Sequence, residues 1–402
     1  KNVPNIRFKG FTEDWEQRKL SDAIQLFGGN AFKSSDVSSK GVRWLKIANV
    51  GIGKILWNDC AYLPEHFWNI YKDYRISDGD YLVALTRPIL NHELKIAHIK
   101  HEKALLNQRV AKIIFNENPE FTYQLLRKRE VVDYIGNVIA GTDPPNLGSN
   151  SLHLITVNFP SIDEQKNIGE CLNKTDQLIA SNQRKLDQFK KVKKLLMQKI
   201  FDQKWRFEGF TDPWEQRQLK EISERVTRKN KKLESTLPLT ISAQDGLIDQ
   251  SKFFDRNVAS KDVSGYFLVK NGEFAYNKSY SNGYPFGAIK RLDHYPMGVL
   301  STLYIVFRPT KVDSQFLATY YDSSTWYREI YKRAAEGARN HGLLNISPAD
   351  FFDSELMIPK NETEQVQIGK MMKSVSKLIA SNQQKLDQLK EMKKWFMQNM
   401  FV

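Results

Sequence analysis

The chain repeats itself. RFKGFTEDWEQRKL, from Arg7 to Leu20, returns as RFEGFTDPWEQRQL, from Arg206 to Leu219, with ten of fourteen positions identical at an offset of 199. LIASNQRKLDQFKKVKKLLMQKIF, from Leu178 to Phe201, returns as LIASNQQKLDQLKEMKKWFMQNMF, from Leu378 to Phe401, with sixteen of twenty-four identical at an offset of 200. Between these blocks, Pro160, Glu164, Gln165, Ile168 and Gly169 match Pro359, Glu364, Gln365, Ile368 and Gly369. Matched blocks at offsets within one residue of each other mean a tandem duplication. The period is far longer than the ~20–50 residues of a solenoid unit, so each copy is a domain-sized half. Each half reads short aromatic motif, variable stretch, helical block. Joining the two ends of the chain would continue the same order, which predicts halves related by a pseudo-two-fold axis.

The helical blocks carry a heptad seam. Ile168, Leu172, Thr175, Ile179, Asn182, Leu186, Phe189, Lys193, Leu196 and Ile200 recur in alternating steps of four and three. Ile368, Met372, Val375, Ile379, Asn382, Leu386, Leu389, Lys393, Phe396 and Met400 follow in the same phase. At about 1.5 Å per residue, a helix from Asp163 to Phe201 is roughly 58 Å long. Two such helices around a two-fold axis pair antiparallel. Ile179, Asn182, Leu186 and Phe189, with Ile379, Asn382, Leu386 and Leu389, form the middle of that seam. An asparagine there fixes register if it is buried, or faces solvent if the helices splay. Glu164 and Glu364 stand at the helix heads, where negative charge suits the dipole. Leu178, Val192, Leu195 and Met197, and their counterparts Leu378, Met392, Trp395 and Met397, lie off the seam. That extra apolar surface faces either the globular halves or another protein, and it occurs twice.

The variable stretches, 23–158 and 222–357, share little identity but one rhythm. ISDGDYLVAL then LLNQRVAKIIF in the first corresponds to VKNGEFAYNK then GVLSTLYIVF in the second. Each gives a Gly-acid turn, a β-type run, a polar loop and a second β-type run. Each continues through a helical segment, FTYQLLRKREVVDYI or FLATYYDSSTWYREIYKRAA, and closes on a strand leading to proline, LHLITVNFP or DSELMIP. Both are α+β domains of one ancestry. The expected divisions are 1–22 (motif), 23–158 (first domain), 159–205 (central helix), 206–221 (second motif), 222–357 (second domain) and 358–402 (C-terminal helix).

Charge points to a polyanion. Lys and Arg number 60 against 46 Asp and Glu, a net +14. Residues 163–201 hold 9 basic against 5 acidic and residues 363–401 hold 7 against 3, so the two helices carry 8 of that excess. Nucleic acid is the commonest partner of such a surface, although helical charge also serves simply as a solvated face. Polar loops mix basic and aromatic residues, and Arg, Lys, Asn and Gln are the side chains that read base edges. The candidates are Arg43, Lys46, Arg87, Gln108 and Arg109 in the first half, and Lys278, Tyr280, Asn282, Arg333, Arg339, Asn340 and His341 in the second.

Catalytic signatures are missing. Asp143-Pro144-Pro145-Asn146 resembles an amino-methyltransferase motif, but Asn146 cannot stack on a flipped base as an aromatic would. His92-Glu93-Leu94-Lys95 has the Glu-x-Lys of nucleases without a Pro-Asp partner. Gly51-Ile52-Gly53-Lys54 lacks the rest of a phosphate loop, and the seven His are scattered. Cys60 and Cys171 are too few for a disulfide framework or a thiolate zinc site, which favours a reducing cytoplasm. No apolar run reaches membrane-spanning length. The opening KNVPNIRF lacks an initiating Met, so a few residues are expected to precede it.

The duplicated RFxGF…WEQRxL motif, the Pro…EQ…IG lead into each helix, the LIASNQxKLDQ…KK helices and two diverged stretches together resemble the specificity subunit of Type I restriction-modification enzymes. The LIASNQ helices resemble a staphylococcal-type branch of that family. The resemblance covers essentially the whole chain. It implies two target recognition domains, each reading half of an asymmetric bipartite DNA site, separated by an antiparallel coiled coil that fixes the spacer. Half-sites on the order of 10 bp between centres suit that arrangement. It also implies two docked modification subunits and two restriction subunits, with S-adenosylmethionine, ATP and Mg²⁺ held by those partners and no catalytic residue or metal in this chain. Two other readings compete: a divergent self-contained DNA methyltransferase, and a coiled-coil adaptor that binds no DNA.

Overall fold

The computed structural model describes residues 2–100, 102–141, 143–242, 246–254, 262–279, 283–334 and 344–402. The chain divides into two compact units: residues 1–183 with 385–402, and residues 184–384. The division falls inside each of two long helices, Ile162–Phe201 and Glu362–Asn399.

Both units use one plan. In the first, a four-stranded antiparallel sheet runs Ile24–Gly28, Val110–Phe115, Tyr81–Ala84, Ile96–His98. In the second, the same order is Ser223–Arg225, Ile305–Pro309, Phe274–Asn277, Ala288–Arg291. The Gly-acid turns precede the third strands as the rhythm predicts, with Gly79 and Gly272 at φ +92° and +85°, where a side chain would be strained. The repeated WEQR segment is itself a strand. Glu16–Lys19 pairs antiparallel with Thr156–Phe159, and Glu215–Gln218 with Glu355–Ile358. LHLITVNFP is therefore only half strand. Its first three residues end the helix Ser149–Leu154, because Leu152 and Ile155 bury one helical face three residues apart while Leu154 stays exposed.

What differs lies around the sheets. The first unit adds a three-stranded sheet, Ala61–Leu63, Val42–Leu45, Leu105–Leu106, and a hairpin of Ile89–Leu90 with Glu93–Leu94. The second adds two strand pairs, Leu239–Ser242 with Gly246–Asp249 and Phe267–Lys270 with Met297–Leu300.

The repeated residues build one joint in each unit. Arg7 donates from Nε and Nη2 to both oxygens of Glu164, at 2.8 and 2.6 Å. Arg206 holds Glu364 the same way, at 2.8 and 2.8 Å. Both glutamates are buried, with side chains 1% and 0% exposed. The next residue satisfies two further backbone groups. Gln165 accepts from the Asn118 N–H and donates to the Pro160 carbonyl, and Gln365 does so with Asp313 and Pro359. Four residues on, glycine is forced by contact. A Cβ at Gly169 would lie 2.7 Å from the Phe121 nitrogen, and one at Gly369 would lie 2.9 Å from that of Phe316. The helices that approach there are Pro119–Leu125 and Ser314–Asp322, capped by Asn118 and Asp313. Trp15 packs edge-on against Phe121 and Phe401, and Trp214 against Phe316 and Phe201.

The first unit's core contains Ile168 and Leu172 from the head of the first long helix and Met400 and Phe401 from just past the second. Asp176 meets Lys393 at 2.6 Å. Rising numbers on one helix meet falling numbers on the other, so within this unit the two helices run antiparallel. All twenty seam positions are buried or half-buried. Asn182 is 7% exposed. Asn182 and Asn382 each donate to the carbonyl four residues back, of Leu178 and Leu378, so that donor serves their own helix.

Beside the seam, equivalent positions carry different ionic groups. In the first unit Arg127 and Lys393 share Asp176. In the second, Asp322 stands in the place of Arg127, counting from the caps, and takes Lys290 at 2.7 Å and Lys193 at 3.7 Å. Ser376 there replaces Asp176 and bonds to the Met372 carbonyl. Burial and the neighbouring Arg127 hold the Lys393 ammonium down to about 8, against the pull of Asp176.

Two predictions follow from these contacts. Glu164→Ala removes the carboxylate from the joint, leaves the Arg7 guanidinium only the Glu13 carbonyl, and should destabilise the first unit by about 3–5 kcal/mol, measured by urea unfolding. Glu16→Ala, in an exposed pair, should cost less than about 1 kcal/mol. Equal effects would contradict the assignment of the joint. Lys393 titrates lower folded than unfolded, so between about pH 8 and 10.4 the unfolded chain binds more protons and this residue's contribution to stability rises with pH. Wild-type melting temperature should gain on Lys393→Met across that window and keep a constant difference below pH 7. A flat difference throughout would show that Lys393 is not desolvated.

Candidate nucleic-acid interface

The candidate readers separate into tied and free side chains. Arg43 donates to Glu102 at 2.5 Å and lies over the Trp57 ring at 4.9 Å. The Lys46 ammonium sits 4.1 Å from the Trp44 ring centroid. Lys278 donates to the Ile346 carbonyl at 3.2 Å and so pins the segment before Ser347. Arg333 donates to Glu329 at 2.5 Å and to the Asp353 carbonyl at 2.7 Å. These four hold their own domains together. Tyr280, Asn282, Arg339, Asn340 and His341 lie outside the described residues.

Arg87, Gln108 and Arg109 differ. All three are exposed, and none has a side-chain hydrogen bond or ion pair among the described residues. Their backbones lie at one end of the first unit's four-stranded sheet. Val110 pairs with Ala84 in register, and one step further the Leu85 N–H donates to the Arg109 carbonyl at 2.9 Å. Gln108 is next in the turn, and its N–H donates to the Asn30 carbonyl at 3.0 Å. Arg87 lies two residues beyond Leu85, and its N–H reaches the Pro145 carbonyl at 2.8 Å.

The backbone beneath these side chains is closely laced. The Asn107 side chain accepts from the Arg109 N–H at 3.1 Å, and the Val110 N–H donates to the Asn107 carbonyl at 2.9 Å, closing the turn. The Asn30 N–H donates to the Leu106 carbonyl at 2.9 Å. Gly29 makes room for this, since a Cβ there would stand 2.3 Å from the Leu106 oxygen. Leu147 donates to the Leu85 carbonyl and ties down the segment that contains Pro144 and Pro145. Asp143-Pro144-Pro145-Asn146 thus braces the loop that carries Arg87.

Sequence patterns do not single out Asn91, the exposed tip of the hairpin that follows Arg87. Asn91 and His92 are both left-handed, at φ +51° and +60°, as the first turn of a two-residue hairpin requires. The only local signal is an asparagine between two short runs. His92 leans on Asp133 at 3.3 Å. Among the described residues, no group of three or more His, Cys, Asp or Glu could hold a metal ion. No described helix is long and apolar enough to cross a membrane.

Comparison with known proteins bears on this arrangement. A family model for the Type I restriction modification DNA specificity domain matches residues 12–191. The Type I restriction enzyme MjaVIII specificity subunit of Methanocaldococcus jannaschii is 36% identical over 190 residues, 46% of this chain and 45% of that protein. The EcoAI specificity subunit of Escherichia coli is 37% identical over 102 residues, 25% of this chain and 17% of that protein. The matched stretches thus span less than half the length of these relatives. The crystal structure of a Type I restriction-modification S subunit from M. genitalium superposes with a TM-score of 0.65, covering 100% of this chain and 99% of that one. At 14% identity, that likeness concerns the fold alone. Residues 12–191 thus match the DNA specificity domain of the Type I restriction-modification family, and over that stretch the chain is similar to specificity subunits of that family.

Proposed function

We propose that the chain is the DNA-reading subunit of a Type I restriction-modification complex and is not itself catalytic. Each recognition domain reads one half of an asymmetric bipartite site, and the paired helices set the distance between the halves. The observation that carries this reading is the contrast within each unit. The Arg–Glu fork, the glutamine and the glycine at the head of each long helix are duplicated residue for residue, while the loops at the sheet ends share neither length nor sequence. A scaffold held constant beneath two diverged readers suits a protein that must present two different surfaces to one polymer. The net charge of +14 supplies the sequence-independent attraction that such a partner needs.

The partners follow from the helices. Leu178, Val192, Leu195, Leu378, Met392 and Trp395 stay 38–51% exposed, whereas Met197 and Met397 turn into the cores of their own units. The first six leave equivalent apolar side chains exposed on each helix, as docking of two copies of a modification subunit would require. Two restriction subunits would join through them. S-adenosylmethionine, ATP and Mg²⁺ belong to those partners, and the complex works in the cytoplasm, where its DNA is.

Two experiments test this. Exchanging residues 223–357 for the same region of a relative should change one half of the methylated motif and leave the other intact. A change in both halves, or in neither, would contradict separate readers. Separately, the double variant Leu195→Glu with Trp395→Glu should lose co-purification with the modification subunit while its circular dichroism melt stays within a few degrees of wild type. Retained assembly would show that the partner docks elsewhere.

A further inference from the structure

Resting on the reading of the chain as a DNA-specificity subunit, we propose that Arg87, Gln108 and Arg109 are the base-reading residues of the first recognition domain. Each arginine takes a guanine and Gln108 takes an adenine in the major groove.

Three observations converge on this trio. First, the fold uses up the other described candidates. Arg43, Lys46, Lys278 and Arg333 are occupied by a carboxylate, a ring or a carbonyl of their own domain, while the donors of Arg87, Gln108 and Arg109 remain unspent. Second, the trio stands on backbone that cannot easily move. Hydrogen bonds from the N–H groups of Leu85, Arg87, Gln108 and Val110, with the close approach at Gly29, fix the end of the sheet beneath them. Side chains that discriminate bases need such support, because a looser guanidinium would meet wrong bases nearly as well as right ones.

Third, Arg87 sits at φ +47°. That conformation costs a non-glycine residue on the order of 1–3 kcal/mol and persists where the surroundings over-determine it. Glycine would fit the backbone without strain, so the arginine is there for its side chain. A guanidinium presents two parallel donors that match the two acceptors on the guanine edge, and a carboxamide matches the donor and acceptor of adenine. A lysine-type phosphate contact would need neither the fork nor the fixed base.

The test uses the full chain assembled with its modification subunit and a library of DNA sites randomised in both halves. The variants are Arg87→Gly, which suits the left-handed backbone and cannot unfold the loop through strain, Arg109→Lys, which keeps the charge and loses the fork, and Gln108→Ala. Each should lower discrimination at one base pair of one half-site on the order of 10- to 100-fold, with the other half-site unchanged. Uniform weakening on all sequences with a shallower salt dependence would make these residues phosphate contacts and overturn the assignment. Unchanged base preference in all three variants would overturn it too. If the unaltered complex selects no sequence at all, the specificity reading itself falls and takes this assignment with it. A selective wild type with indifferent variants removes the assignment alone.

Discussion

The structure depends on a buried ionic fork at the head of each long helix. A carboxylate taken out of water costs several kcal/mol unless its partner and its remaining lone pairs are fully met, and Glu164 and Glu364 meet that requirement with a two-pronged arginine from the RFxGF motif. In the second unit the Trp214 indole N–H adds a third donor, at 3.4 Å. The fork brings together three pieces of chain that are distant in sequence: the motif, the helix head, and the domain helix that presses on the following glycine. Once these are fixed, the strand formed by WEQR is in place to pair with the strand that leads into the helix. Each domain is thereby fixed to the head of its own helix.

Such a mount separates two demands. The joint must be kept, because an unpaired buried charge or an added Cβ at Gly169 or Gly369 would break it. The loops at the far ends of the sheets contribute little to it, and they are free to change. In the first unit they carry a three-stranded sheet and a hairpin, and in the second two strand pairs. The ionic groups beside the seam differ as well, with Asp176 on the helix in one unit and Asp322 on the domain in the other. Two solutions at one place show that the joint, more than those ions, holds the common architecture.

How much of this the sequence discloses depends on range. The heptads are local, and all of the seam positions they mark are buried or half-buried. The strand rhythm is also local and places the central strands correctly. Glu164, by contrast, looks like a dipole-compensating residue at a helix head, since Arg7 lies 157 positions away. The need for glycine at 169 is equally hidden, because it comes from a nitrogen on another helix. For the candidate readers, composition picks out side chains able to contact bases but cannot tell a free guanidinium from one spent on Glu102 or Glu329. Only tertiary contacts separate Arg87 and Arg109 from Arg43 and Arg333.

The central proposal is that two unlike readers act at a fixed separation on one duplex. Mapping every methylated base in the genome of cells that carry this chain and its modification subunit tests it most directly. The account predicts a single motif in two unlike parts, separated by a run of unspecified bases of constant length. A continuous motif, a palindrome, or parts at varying separation would contradict it.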